Sequence, residues 1–114
     1  MKKLFFYLFA LTMLVSCTSQ KPLYTWESYG SHSYKYLKKR DKESRSELIE
    51  SCQEVINNQE GEREMVPPGV YADYGFLLIK SGELEKGKKM LSKEMQNYPE
   101  SEVFIERILK MIEQ

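Results

Sequence analysis

An all-α fold is what this sequence predicts, and three observations carry the prediction. Apolar residues recur three and four apart in several windows, a spacing that gathers them on one face of a helix. Each window is bounded by a start or stop signal: Ser44-Arg45-Ser46-Glu47, Pro67-Pro68-Gly69, Gly82 or Tyr98-Pro99. Nowhere do apolar and polar residues alternate as a half-buried strand requires. The windows amount to a small array of about five helices, short enough for one domain.

The N-terminus is read apart from that array. Lys2 and Lys3 precede an almost wholly apolar, uncharged stretch from Leu4 to Ser16, and Ser16 precedes Cys17 in Leu14-Val15-Ser16-Cys17. A basic flank, a short apolar run and a small residue at the cleavage point make a secretory signal. With a cysteine at that point, the segment resembles the bacterial lipobox. The resemblance implies that residues 1–16 are a cleaved lipoprotein signal peptide and that Cys17 is the lipidation site. Its thiol would receive a diacylglycerol, and its freed amine can take a further acyl chain; no other cofactor is expected. The apolar run is shorter than the roughly 18 to 20 residues of a spanning helix. Two or three acyl chains hold a protein stably at a membrane where one does not, so the expectation is an anchored chain. Thr18 follows the cysteine where aspartate would signal inner-membrane retention, which points to an outer-membrane anchor facing the periplasm.

The full chain carries 17 basic and 17 acidic residues, and loss of Lys2 and Lys3 leaves the mature part near neutral. That balance speaks against nucleic acid, which needs a concentrated basic face, and against electrostatic adhesion to a membrane. With Cys17 acylated, Cys52 is the remaining thiol, so no internal disulfide can form.

Residues 17–23 read as a lipidated tether and residues 24–114 as the helical domain. Tyr24, Trp26, Tyr29, Tyr34 and Tyr36 form an aromatic segment leading into a first helix near Ser31 to Arg40. Ser44 and Glu47 fit a capping box, in which each side chain satisfies a free backbone N–H. The helix they open carries Leu48, Ile49, Cys52, Val55 and Ile56 on one stripe and stops near Asn58, with Gly61 as a plausible terminator. A third helix runs from about Pro68 to Ser81, since proline is tolerated in a first turn. The fourth spans Glu83 to Asn97 with Leu84, Gly87, Leu91, Met95 and Tyr98 inward, and Pro99 ends it. A fifth, Glu100 to Glu113, presents Phe104, Ile105, Ile108, Leu109 and Ile112.

The third and fourth helices resemble a tetratricopeptide repeat, a helix-turn-helix of about 34 residues. With Gly75 at the small position of its first helix, Tyr71, Tyr74 and Leu78 take the large positions. Gly87 takes the small position of the second helix, Leu91 a large one, and Pro99 the closing proline. Two helices approach closely only where such glycines remove bulk. Glu94 departs from the pattern, standing where a second small residue is usual, and no comparable match lies upstream. One repeat cannot bury both its faces, so the first two helices should cover one side and the fifth the other. In such repeats the first helix of the pair lines a concave groove with residues off its core positions. Here these are Ala72, Phe76, Ile79 and Lys80, the candidate partner-binding set; the alternative, that the first helix and its tyrosines cover them as core, stays open.

Chemistry-bearing constellations are scarce. His32 is the lone histidine, with no ligand at metal spacing beside it. Cys52 lies in an apolar stripe and reads as core. Glu60, Glu62 and Glu64 lack the Asp/Asn-rich loop of a calcium site and read as a solvated loop. No nucleophile elbow, phosphate loop or acid-base pair occurs, so the expectation is a protein that is not an enzyme and binds no metal.

The lipobox, Tyr24-x-Trp26-x-x-Tyr29, Pro67-Pro68-Gly69-Val70-Tyr71-Ala72 and Tyr98-Pro99-Glu100-Ser101 together resemble the bacterial lipoprotein family called domain of unknown function 4810. The usual glycine after the tryptophan is Glu27 here. The resemblance implies a neighbourhood: such lipoproteins are typically encoded beside a pore-forming lipoprotein similar to the curli exporter and a further small lipoprotein. Other envelope lipoproteins are therefore the expected partners, with a non-catalytic adaptor or assembly role in a cell-envelope or secretion complex. The rival reading is a small-ligand or cell-wall-binding lipoprotein with an aromatic pocket.

Overall fold

The computed structural model describes residues 1–13 and 19–114. Cys17, and the lipidation expected there, lie outside the described residues. The described chain is all-helical: α1 Lys2–Met13, α2 Tyr29–Lys39, α3 Lys42–Asn57, α4 Val70–Lys80, α5 Leu84–Asn97 and α6 Glu102–Ile112, with a 3-10 turn Pro99–Ser101 before α6. No helix among the described residues is long and apolar enough to cross a membrane.

The starts of two helices correct the sequence reading: α4 begins at Val70 after Gly69, so Pro68 precedes its first turn rather than standing in it. Asp41, not Ser44, caps α3: its carboxylate accepts the Ser44 N–H at 2.8 Å and the Ser44 hydroxyl at 2.6 Å. Aspartate caps as well as serine does, and taking it lengthens the helix at its N-terminal end. Ser44 is thereby buried, and Glu47, expected to close a capping box, instead pairs with Lys35 of α2 at 2.6 Å.

Contacts follow chain order, α2 on α3, α3 on α4, α4 on α5 and α5 on α6. Helix α4 is therefore flanked on both sides, as the repeat register requires. One apolar cluster joins Leu48, Cys52 and Val55 of α3 to Val70, Tyr74, Leu77 and Leu78 of α4. A second joins Ala72 of α4 to Leu91 of α5 and to Ile105 and Ile108 of α6. The largest interface, α4 on α5, closes at two glycines. An ideal Cβ on Gly87 would stand 2.5 Å from the Gly75 carbonyl oxygen, and one on Gly75 would stand 2.7 Å from that of Gly87. Two positions assigned inward do not reach the core: Leu84 sits at the α4–α5 turn and Phe104 on the open side of α6, both exposed.

Glu94, the departure from the repeat pattern, has a structural reason. It is buried on α5, and its Oε1 accepts the Gly69 N–H at 2.7 Å, with the amides of Tyr71 and Ala72 beside it. Gly69 holds a left-handed φ of 92° and has no side chain with which to cap α4. A carboxylate from the neighbouring helix takes over that task and meets the positive end of the α4 dipole.

The tether is shorter than its sequence suggests. The N–H groups of Glu62 and Arg63 donate to the carbonyls of Pro22 and Leu23 at 2.9 and 3.1 Å, and Glu60 N–H donates to Thr25 Oγ1 at 3.0 Å. Gly61 is buried beneath this segment, where a Cβ would fall 2.5 Å from the Leu23 carbonyl oxygen. Its role is close approach rather than helix termination. The loop of Glu60, Glu62 and Glu64 thus forms a docking edge on its backbone, while the Glu62 and Glu64 side chains stay in solvent. Tyr98 fastens the other end of the loop by donating its hydroxyl to the Val66 carbonyl at 2.6 Å.

Candidate partner-binding groove

Helices α2, α4 and α6 present one continuous face built around Phe76. Helix α4 is apolar on both flanks, which bury into the two clusters, so the residues between those flanks are left facing out. Asp73, Phe76 and Lys80 occupy that outward stripe at helical spacing. Phe76 is 38% exposed and forms a ridge between two depressions. The first, about 190 Å³, lies between α2 and α4 and is lined by Tyr36, Leu37, Asp73 and Phe76 among others. The second, about 260 Å³, lies between α4 and α6 and is lined by Ala72, Asp73, Phe76, Phe104, Ile108 and Met111. Leu37, Phe104 and Met111 are each more than 60% exposed, so the face is apolar and open.

The structure divides the four residues expected to bind a partner. Phe76 stands in the groove, and Lys80 lies over its ring, Nζ 4.9 Å from the centroid. Ala72 lies at the floor of the second depression and is buried against Leu91, Ile105 and Ile108, so it offers little surface of its own. Ile79 is half-buried, packed on that same cluster and against the Gly87 crossing. Leu37, Asp73, Phe104 and Met111 were missed. For α6 the signal was available, since Phe104, Ile108 and Met111 recur at i, i+4 and i+7 on a second stripe beside the core one.

Asp73 supplies the polar feature of this face. Tyr29 of α2 donates its hydroxyl to the Asp73 carboxylate, linking α2 directly to α4. As a residue Asp73 touches solvent, yet its carboxyl lies among apolar groups, and that desolvation raises its pKa while the Tyr29 hydrogen bond draws it back. Burial, followed by the same carboxylate, raises the Tyr29 phenol in turn. A second polar cluster lies behind, between α2 and α3. There His32 Nδ1 hydrogen-bonds Ser51 Oγ, and Ser28 Oγ stands 3.1 Å from Ser51 Oγ and 3.4 Å from a Glu54 oxygen. The Ser51 hydroxyl also donates to the Glu47 carbonyl and is buried, so the cluster fastens two helices. Cys52 is buried as expected, its thiol pushed up to about 12 by desolvation, which leaves it unreactive.

The aromatic segment splits between core and surface. Tyr29 and Tyr36 pack against the α3–α4 cluster, while Tyr34 and Trp26 are exposed. Tyr24 and Trp26 meet edge-on with centroids 6.3 Å apart. Neither lines the depressions beside Phe76. Glu27 follows Trp26 with a φ of 46°, the left-handed region that glycine occupies freely, so the aromatic turn keeps its shape with a glutamate in it.

Such a fold and face define a class: a small chain, all-helical over its described residues, with an open apolar groove across α2, α4 and α6. The chain belongs to the family described as domain of unknown function (DUF4810), whose model matches residues 23–108. No curated protein and no solved structure matches it. The matched region begins at Leu23, the segment that docks on Gly61, and ends at Ile108 in the groove.

Proposed function

We propose that this protein is a lipid-anchored, non-catalytic adaptor of the bacterial envelope, holding a partner protein on the Phe76 face. Residues 1–16 act as the signal, Cys17 carries the acyl chains, and the helical domain faces the periplasm from the outer membrane. The observation that carries the adaptor reading is the unfilled apolar face of α2, α4 and α6, with Leu37, Phe76, Phe104 and Met111 exposed together around one carboxylate. Exposed apolar surface gathered in one place marks an interaction site. The favoured partner is a pore-forming envelope lipoprotein of the curli-exporter type, on the family resemblance.

The test is co-purification of the acylated protein from detergent-solubilised envelopes, with the accompanying chains identified. Phe104→Ala and Met111→Ala remove side chains that contribute little to the core, so the melting temperature should hold while the partner is lost. Truncating an aromatic anchor typically weakens binding by about 2 kcal/mol or more. Full retention of the partner by the double variant would remove the groove from this reading.

A further inference from the structure

Leu23, Tyr24 and Trp26 form a corner that follows Cys17 within a few residues of sequence. We infer that this corner is a lipid-contacting face, resting in the headgroup layer of the membrane that carries the Cys17 anchor. The inference rests on the lipoprotein reading given under Proposed function.

The length of free chain comes first. Pro22 and Leu23 are held to the loop by the Glu62 and Arg63 amides, and Thr25 by that of Glu60, over a Gly61 that admits no side chain. Only residues 18–21 separate this fixed segment from Cys17. Fully extended, that stretch reaches about 18 Å. The corner therefore cannot leave the neighbourhood of the acylated sulfur, whatever the rest of the domain does.

The surface chemistry comes second. Leu23 is 51% exposed and Trp26, three residues on, is 43% exposed. Tyr24 packs edge-on to Trp26 and donor to it is Arg63, whose guanidinium lies 3.2 Å from the Tyr24 hydroxyl and over its ring. Tryptophan and tyrosine favour the layer where one end of the ring is apolar and the other wet, and an arginine beside them can reach phosphate. Glu60, Glu62 and Glu64 make the adjoining loop acidic, so attraction to anionic lipid does not supply the contact. The occupant is a zwitterionic lipid surface, met by apolar and aromatic groups.

The far end of the domain sets the control. Helix α5 runs from Leu84 to Asn97, and the Tyr98 hydroxyl bonds Val66 at the loop end. Leu84 is therefore about 20 Å from that end along the helix axis.

Trp26 is the only tryptophan in the chain, so its fluorescence reports this corner alone. The acylated mature protein is reconstituted into phosphatidylcholine vesicles, floated on a density gradient, and probed with lipids brominated near the acyl carbonyl. Expected are co-flotation, a blue-shifted emission and loss of most of the Trp26 signal to bromine. A Trp26→Phe, Leu84→Trp variant should float equally and keep its emission. Flotation with Trp26 unquenched and as open to acrylamide as in detergent-free, lipid-free protein would overturn the inference and leave the anchor standing. Flotation with Trp26 shielded from acrylamide yet untouched by bromine would overturn it in favour of a protein contact. Failure to float would overturn the anchor reading, and the inference with it.

Discussion

Gly87→Ala should destabilise the domain, although the same exchange at Gly30 should stabilise it. Both glycines lie in helices, where alanine is better than glycine by up to about 1 kcal/mol. At Gly30 a Cβ would meet no atom within 4 Å. At Gly87 it would stand 2.5 Å from the Gly75 carbonyl oxygen and 2.5 Å from Ile79 Cγ1. The isoleucine can turn aside, but the carbonyl is helix backbone and cannot. Restoring ordinary contact requires α4 and α5 to part by about 1 Å, which forfeits a good part of the dispersion along their interface. Overpacking of this kind costs about 1 to 3 kcal/mol. Set against a helix gain of about 1 kcal/mol, a net loss of up to about 2 kcal/mol remains for Gly87→Ala. In a domain of this size each kcal/mol moves the melting temperature by about 4 to 8 °C. Thermal unfolding of the mature chain followed by circular dichroism measures both variants. A melting temperature that rises for both would show that the helices do not cross where the two glycines meet, and would refute the close-approach argument.

Two further predictions concern strain and charge. Glu27 holds a φ of 46°, a conformation that burdens a side-chain-bearing residue by about 1 to 2 kcal/mol, so Glu27→Gly should raise stability in urea unfolding by up to about 1 kcal/mol once the added freedom of the unfolded chain is subtracted. An unchanged midpoint would mean that the aromatic turn is not held in that conformation. Burial raises the Glu94 pKa above its ordinary 4.5, opposed by the hydrogen bond from Gly69. The folded state thus holds this proton more tightly than the unfolded one, and the associated stability is present below about pH 4.5 and lost as pH rises through the folded value. Relative to Glu94→Gln, which cannot titrate but keeps an acceptor for Gly69, the native chain should lose stability as pH climbs from 4 to about 7; a difference that stays flat or grows with pH counts against a raised carboxyl.

Much of the fold was legible because it is written locally. Apolar stripes such as Leu48, Cys52 and Val55, and stop signals such as Gly82, depend on neighbours within a few residues, and the helices follow them closely. Gly75 and Gly87 were legible for a related reason, since a helix crossing leaves no alternative to a missing side chain. The capping of α3 was misassigned where two local signals competed: Asp41 and Ser44 both suit an N-cap, and the pairing of Glu47 with Lys35 on another helix favours the first.

The groove was legible only in part. Phe76 and Lys80 follow from the register of one helix, but how much of their neighbour Ala72 stays open depends on where α6 lies, and α6 packs against it. Leu37 of α2 and Phe104 and Met111 of α6 join Asp73 and Phe76 of α4, and no spacing along the chain relates one helix's residues to another's. By itself, then, the sequence determined the helices, the glycine crossing and the thiol that burial silences, because periodicity and bulk act between residues close in the chain. The tertiary structure alone decided the docking of Leu23 on Gly61, the capping of α4 by Glu94 and the composition of the apolar face. Each of those depends on backbone and side chains that meet only after distant segments pack, a relation that local physics does not encode.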